Sequence, residues 1–298
     1  MYHRPVLLSE SVDGLNIRPG GIYVDVTFGG GGHSEEILKR LKGGRLIAFD
    51  QDEDVQANRI DDERLILLNN NFRYLKNFLK YHQALPVDGI IADLGVSSHQ
   101  FDVAERGFST RFDAGLDMRM NKKQNFSAAV ILNEYKAQQL AAIFRQYGEL
   151  ANAALLANKI VAYREQKQIL TTADLKEAVS SLIDRRNEEK FLARVFQALR
   201  IETNSELDAL KEFLMQSLMV LKVSGRLVVI SYHSLEDRLV KNFMRAGNFD
   251  GDIEKDFFGN VSTPFELINR KPITPGEKEI LENKRARSAK LRIAEKVQ

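Results

Sequence analysis

The stretch DVTFGGGGHS, Asp25 to Ser34, lies where a short β-type run, Ile22 to Phe28, hands over to a helical pattern, Ser34 to Lys42. Glycines there let the backbone fold back tightly and approach a ligand, while the following helix offers free amides and a positive dipole end. The same rhythm continues outward. Strand-like runs at Arg45 to Asp50 and Leu65 to Asn69 alternate with helical patterns at Asp52 to Ile60 and Phe72 to Tyr81. A fourth run, Val87 to Leu94, is apolar apart from Asp88 and Asp93, as a strand covered on both faces should be. A βαβαβα series of this kind predicts an α/β fold with a parallel sheet wrapped by helices.

From about Gly107 to Asn204 no convincing strand occurs. Helical periodicity dominates at Lys136 to Tyr147, Ala151 to Arg164, Thr171 to Ile183 and Glu188 to Leu199. The α/β rhythm then resumes with a helix over Ser205 to Leu221, a strand over Arg226 to Tyr232 and a helix over Leu235 to Arg245. Two late strands, Phe265 to Arg270 and Ser288 to Glu295, are expected to pair antiparallel at the sheet edge. The predicted domains are therefore a discontinuous α/β domain, residues 1–106 and 205–298, and an all-α insertion, residues 107–204.

Composition narrows the function. Cysteine is absent, which removes disulfides, thiolate metal sites and cysteine nucleophiles together. The segment Met1 to Arg18 has no apolar stretch of signal-peptide length, and nothing later reaches the roughly 18 to 20 apolar residues of a membrane helix. A soluble, cytoplasmic protein is expected. The net charge of +2 is too small to argue for nucleic acid. Basic residues nonetheless gather in three places: Arg106 to Lys123, Arg185 to Arg200, and Lys284 to Lys296.

The glycine turn itself selects among ligands. A phosphate-cradling loop would end Gly-Lys-Ser/Thr, whereas Gly32 is followed by His33 and Ser34. A dinucleotide site wants a third glycine where Ser34 stands and has no use for the carboxylate of Asp25 beside a pyrophosphate. Asp25 instead suits a cationic ammonium without phosphate, the methionine end of S-adenosylmethionine. Asp50 ends the second strand, where its carboxylate can grip both hydroxyls of an adenosine ribose. Asp93 ends the fourth strand on the same sheet edge.

Other constellations carry less. GVSSH, Gly95 to His99, lacks the final glycine of a hydrolase nucleophile elbow. The five histidines show no metal-ligand pairing, and no metal is expected. Ser234, with Asp237 three residues on, reads as a helix cap. His233 sits at the strand edge where substrates bind, and both a structural and a catalytic role stay open for it. LDMRM, Leu116 to Met120, reads either as core with Met118 and Met120 inside, or, with Arg106, Arg111 and Arg119, as the basic rim of an RNA groove.

Eight stretches in order resemble the RsmH (MraW) family of bacterial methyltransferases, which modify N4 of a cytosine in the decoding centre of 16S ribosomal RNA. They are HRPVLLSE from His3, DVTFGGGGHS from Asp25, DLGVSSHQFD from Asp93, ERGFS from Glu105, LDMRM from Leu116, FQALRIETNSEL from Phe196, ISYHSLEDRLVK from Ile230 and RARSAKLRIAE from Arg285. The resemblance implies a Rossmann-like domain that binds S-adenosylmethionine, interrupted by a helical substrate-recognition domain, and tips LDMRM toward the RNA rim. It carries cofactor contacts over to Gly31, Gly32, His33, Asp50, Phe72, Asp93 and Gln100. Asp93 and His233 are the candidate catalytic residues, because an acceptor must pull on an N4 hydrogen as the new bond forms. The implied partner is the small ribosomal subunit, with no membrane and no metal; a homodimer stays open. Methylation of a protein or small molecule, or an RNA-binding assembly factor without turnover, are the competing functions.

Overall fold

A computed structural model describes residues 5–184, 186–253 and 263–298. His3, Arg4 and Arg185, which belong to stretches singled out above, lie outside the described residues. The chain divides into two compact units, residues 1–95 with 207–298 and residues 96–206.

The first unit opens with helix α1 (Leu8–Gly14), then strand β1 (Ile22–Asp25), α2 (Gly32–Arg40), β2 (Arg45–Asp50), β3 (Leu65–Asn69), α3 (Leu75–Tyr81) and β4 (Val87–Asp93). The pattern read as a helix over Asp52 to Ile60 is a 3₁₀ run, Glu53–Asn58, whose start is held by the Asp52 carboxylate accepting from the Asp54 amide. Likewise Phe72–Tyr74 forms a 3₁₀ turn ahead of α3 rather than its first turn.

The second unit holds α4 (Ser98–Asp102), α5 (Ala128–Glu134), α6 (Ala137–Gln146), α7 (Ala153–Arg164), α8 (Thr172–Val179) and α9 (Glu188–Asn204). It begins at Val96, ahead of the Gly107 boundary read from the sequence, because Val96, Phe101 and Phe108 pack against the helical core of Leu140, Phe144, Leu156 and Val195. Periodicity could not place that boundary, since α4 is only five residues long. LDMRM contributes Leu116, Met118 and Met120 to this core. Arg106, 5% exposed, donates to the carbonyls of Arg119 and Met120. Arg119 is held by the Asp117 carboxylate through Nε at 2.6 Å and by the carbonyls of Lys122 and Gln124. Two of the three arginines expected on an RNA rim are thus structural fasteners, and Arg111 is the exposed one.

Helix α10 (Glu206–Val220) returns the chain to the first unit, followed by β5 (Leu221–Ser231), α11 (Ser234–Ala246), β6 (Phe265–Leu267), α12 (Glu277–Glu282) and β7 (Lys290–Lys296). The strand order is β3-β2-β1-β4-β5-β7-β6. Strands β1 to β5 run parallel, and β7 is antiparallel to both β5 and β6. Alternation along β2 shows why the parallel strands read as continuous apolar runs. Ile47 and Phe49 enter one core with Leu75, Leu79 and Phe213, while Leu46 and Ala48 enter the other with Tyr23, Ile37 and Ile293. Each such large side chain, fully buried, contributes roughly 1.5–3 kcal/mol. This is a Rossmann-like, doubly wound sheet, with its switch point between β1 and β4. Among the described residues no helix is long and apolar enough to cross a membrane.

The C-terminal basic run splits in two. Lys290 and Arg292 both bind the Asp237 carboxylate, and Lys296 donates to the carbonyls of Leu218 and Leu221. Lys284, Arg285 and Arg287 lie exposed in a 3₁₀ run ahead of β7.

Candidate active site

Open α/β sheets bind ligands outside the carboxyl ends of their strands at the switch point, and three carboxylates stand there. Asp25 ends β1, Asp50 ends β2 and Asp93 ends β4. Between β1 and α2 the chain turns through Gly29 (φ 51°) and Gly31 (φ 79°). The left-handed backbone at Gly31 excludes most side chains, and a Cβ there would come within 2.9 Å of the Phe28 ring. Gly31 is the N-cap of α2, so the first amides of that helix point outward with no partner of their own within it.

Each carboxylate has a distinct setting. Asp25 is 1% exposed; its Oδ2 accepts from Ser34 Oγ at 2.7 Å and its Oδ1 from the Thr27 amide at 3.0 Å. Burial raises its pKa above the usual range, and these bonds oppose the rise. Asp25 thus braces the glycine turn from beneath. Asp50 accepts the Gly29 amide on Oδ2 at 2.8 Å and the Asp52 amide on Oδ1 at 3.0 Å. Each oxygen keeps a second lone pair, which suits a pair of hydroxyls. Burial, helped by the charges of Asp52 and Asp25, pushes its pKa up to about 6.

Asp93 was assigned from the sequence, but its partners were not. Its amide donates to Thr27 Oγ1 at 2.7 Å, tying β4 to the end of β1. Its Oδ1 accepts from the Tyr232 phenol at 2.7 Å, and its Oδ2 lies 3.9 Å from His33 Nδ1. Burial pushes the Asp93 pKa up to about 7, with Asp25 and Glu236 adding like charge and the Tyr232 hydrogen bond opposing them. The Tyr232 phenol is in turn raised well above its ordinary value by its own burial and by Asp93. His33 is 6% exposed, and burial lowers its pKa to about 4, so at neutral pH it faces Asp93 as a neutral ring. Its Nε2 is buried without a hydrogen-bond partner among the described residues.

His233, the second catalytic candidate, stands at the start of α11. It is the N-cap of α11: its Nδ1 accepts from the Glu236 amide at 3.4 Å, and the Glu236 carboxylate reaches back to the amides of Tyr232 and His233. The cap falls one residue earlier than the Ser234 and Asp237 pair read from the sequence, because Asp237 is committed to Lys290 and Arg292. Phe72 opens its 3₁₀ turn half-buried, edge-on to Phe213 at 5.4 Å. Gln100 belongs to the helical unit, where its carbonyl accepts from the Ser97 amide at 3.1 Å in a capping box. The structure thus gathers Asp25, Gly31, Gly32, His33, Asp50 and Asp93 at one sheet edge. Tyr232 and Thr27 join them, neither signalled by spacing.

Buried carboxylates with raised pKa values concentrate at functional sites, because a cationic ligand supplies the charge that their surroundings lack. A lysine-free glycine turn, free helix amides and three carboxylates fit a ligand with a sulfonium, an ammonium and a ribose. Asp50 would hold the ribose, and the Gly31 to His33 backbone the methionine end. The doubly wound sheet with this edge is suited to a protein that binds S-adenosylmethionine.

The particular family follows from the whole chain. The sequence profile of the MraW methylase family matches residues 1–297, and the chain belongs to that family. It is 59% identical over 297 residues to the ribosomal RNA small subunit methyltransferase H of Flavobacterium johnsoniae, covering 99% of this chain and 98% of that protein. The protein of the same name from Bacteroides thetaiotaomicron is 59% identical over 296 residues, covering 99% of this chain and 97% of the relative. Among solved structures, a Streptococcus mutans methyltransferase in complex with SAH aligns over 100% of both chains at 14% identity and a TM-score of 0.42. An rRNA methylase from Streptococcus thermophilus aligns over 97% of this chain and 95% of its own at 14% identity and a TM-score of 0.44. As a member of the MraW methylase family, the chain takes S-adenosylmethionine as its methyl donor.

Proposed function

We propose that this methylase acts on ribosomal RNA, at N4 of a cytosine in the decoding centre of the small subunit, in the cytoplasm. Its relatives' names supply the substrate class. The observation that carries the reading is the Asp93 carboxylate, held by Tyr232 at the carboxyl edge of β4 beside the glycine turn. S-adenosylmethionine brings an electrophilic methyl on a sulfonium. The exocyclic amine is a weak nucleophile because its lone pair is delocalised into the ring, so catalysis rests on positioning and on an acceptor for an N4 hydrogen. Asp93 is that acceptor: with a pKa of about 7 it is poised to take a proton at neutral pH. Tyr232 fixes one of its oxygens and leaves the other toward His33. Phe72 covers the purine face, and the helical unit recognises the RNA. His233 shapes the edge by starting α11.

The test uses labelled S-adenosylmethionine with small subunits from an unmethylated strain, followed by nucleoside mass spectrometry. Label in N4-methylcytidine at a decoding-centre position is expected. Label in protein, or in another nucleoside, would overturn the proposal.

A further inference from the structure

Several basic side chains of the helical unit are tied down. Arg106 and Arg119 hold loop carbonyls, Arg164 donates to the Leu132 carbonyl, Lys176 to the Thr110 carbonyl, and Arg200 pairs with Glu206 at 2.8 Å. Lys190 and Arg194 are not tied down, and among the described residues neither are Arg111, Arg145, Lys159 and Arg186; Lys190 and Arg194 are the pair that shares a cleft. Both are exposed, and neither has a side-chain hydrogen bond or ion pair among the described residues. They stand on α9 with Phe191, and Asn187 is the N-cap of that helix; a spacing of three, four and seven residues from the cap puts all four along one side, in a stripe. Glu188 and Glu189 follow Asn187 by steps of about 100° and so lie off that stripe. The stripe borders a cleft of about 250 Å³ whose other wall is Leu150, which is 5% exposed. Phe191 is half-buried against the helical core, which fixes its ring while leaving part of it open.

The chemistry is that of a single-stranded nucleic acid site. Two unpaired cations supply backbone contacts and an anchored aromatic ring offers a stacking platform, while the Asn187 amide at the rim donates to Asp184 Oδ2 at 3.2 Å. The volume is below the roughly 300–1,000 Å³ of ordinary ligand pockets, which favours one nucleotide of a longer strand over a free cofactor. We infer that the Asn187, Lys190, Phe191 and Arg194 stripe of α9 binds an unpaired nucleotide of the RNA substrate, with the base on Phe191 and the phosphates on Lys190 and Arg194. This rests on the RNA reading above, and adds to it where on the helical unit one nucleotide is held.

The experiment compares the full-length protein with K190E/R194E, the milder K190Q/R194Q, and F191A, in steady-state methylation of small subunits across a salt series. S-adenosylmethionine affinity and the circular dichroism spectrum should be unchanged in all three. The charge variants should raise KM for subunits about tenfold or more, and the salt slope of log KM should fall by about 1.4, from two phosphate contacts at about 0.7 each on single strands. F191A should raise KM several-fold with its salt slope intact. Unchanged KM in folded variants, while the parent protein methylates subunits normally, overturns this site and leaves the substrate intact. Failure of the parent protein to methylate RNA overturns both. A photo-crosslinker at position 194 should label ribosomal RNA, and labelling of a ribosomal protein instead would also overturn the site.

Discussion

Tyr232 donates a 2.7 Å hydrogen bond to Asp93 Oδ1, joining the residue that follows β5 to the last residue of β4. That bond stabilises the ionised carboxylate against burial, which pushes its pKa up to about 7. Removing the phenol in Tyr232→Phe takes away a hydrogen bond to a charged group, about 1.5–3 kcal/mol, or roughly one to two pK units. The acid limb of the pH profile of kcat should move up by that amount, with activity lost at neutral pH and partly regained near pH 9. An unmoved acid limb would detach Tyr232 from the chemistry.

Stability should respond to the same carboxylates. Asp50 and Asp93 have folded-state pKa values of about 6 and about 7 against an ordinary 3.8, so the folded protein binds protons more tightly than the unfolded chain. Their contribution is fully present below about pH 4 and is lost as the pH rises through 6 and 7. Between about pH 8 and 5.5 the cofactor-free protein should gain Tm as the pH falls, and Asp93→Asn should flatten that dependence. A steeper dependence in Asp93→Asn would contradict the assignment.

Asp50 offers both oxygens at the end of β2, each already oriented by one backbone amide. Asp50→Ala should weaken S-adenosylmethionine binding by about 1.5–3 kcal/mol, as expected for lost charge-assisted hydrogen bonds. Titration calorimetry near pH 8, where Asp50 is ionised, measures this directly. Unchanged affinity would remove Asp50 from the site.

Gly31→Ala places a side chain on left-handed backbone, 2.9 Å from the Phe28 ring. The conformational cost is of order 1–3 kcal/mol, and the turn must shift. Thermal denaturation should show the loss, and affinity for S-adenosylmethionine should fall with it. Retained affinity at reduced stability would show that the turn holds its ligand without this geometry.

His233 caps α11, so His233→Ala should cost about 1 kcal/mol of stability, and His233→Asn, a capable N-cap, should recover most of it. Activity should follow stability in both. A collapse of kcat in a stable His233→Asn protein would return the ring to the chemistry.

The α/β frame was legible because parallel strands buried on both faces leave long apolar runs ending in Asp25, Asp50 and Asp93, with the turn glycines between them. The start of the helical unit was not, since α4 is too short to show a period and Val96, Phe101 and Phe108 join the helical core through tertiary packing alone. Tyr232 escaped for a related reason. A tyrosine after a strand reads as an ordinary aromatic, and only the alignment of β4 and β5, Asp93 opposite Ile230, sets its hydroxyl against a carboxylate. The basic runs misled by counting charge. Arg106, Arg119, Lys290, Arg292 and Lys296 each satisfy carbonyls or carboxylates of their own unit, whereas Lys190 and Arg194 do not.

On the proposed function, this sheet edge moves a methyl group from S-adenosylmethionine to a cytosine amine, with Asp93 as the proton acceptor. The most direct measurement is single-turnover methylation of unmethylated small subunits by the parent protein and by Asp93→Asn, at saturating labelled S-adenosylmethionine, with products separated as nucleosides. N4-methylcytidine is expected from the parent protein, with a rate reduced about 10²- to 10⁴-fold in Asp93→Asn, the usual range for a lost general base. A different methylated nucleoside, or an Asp93→Asn protein that turns over at the parent rate, would contradict the proposed function.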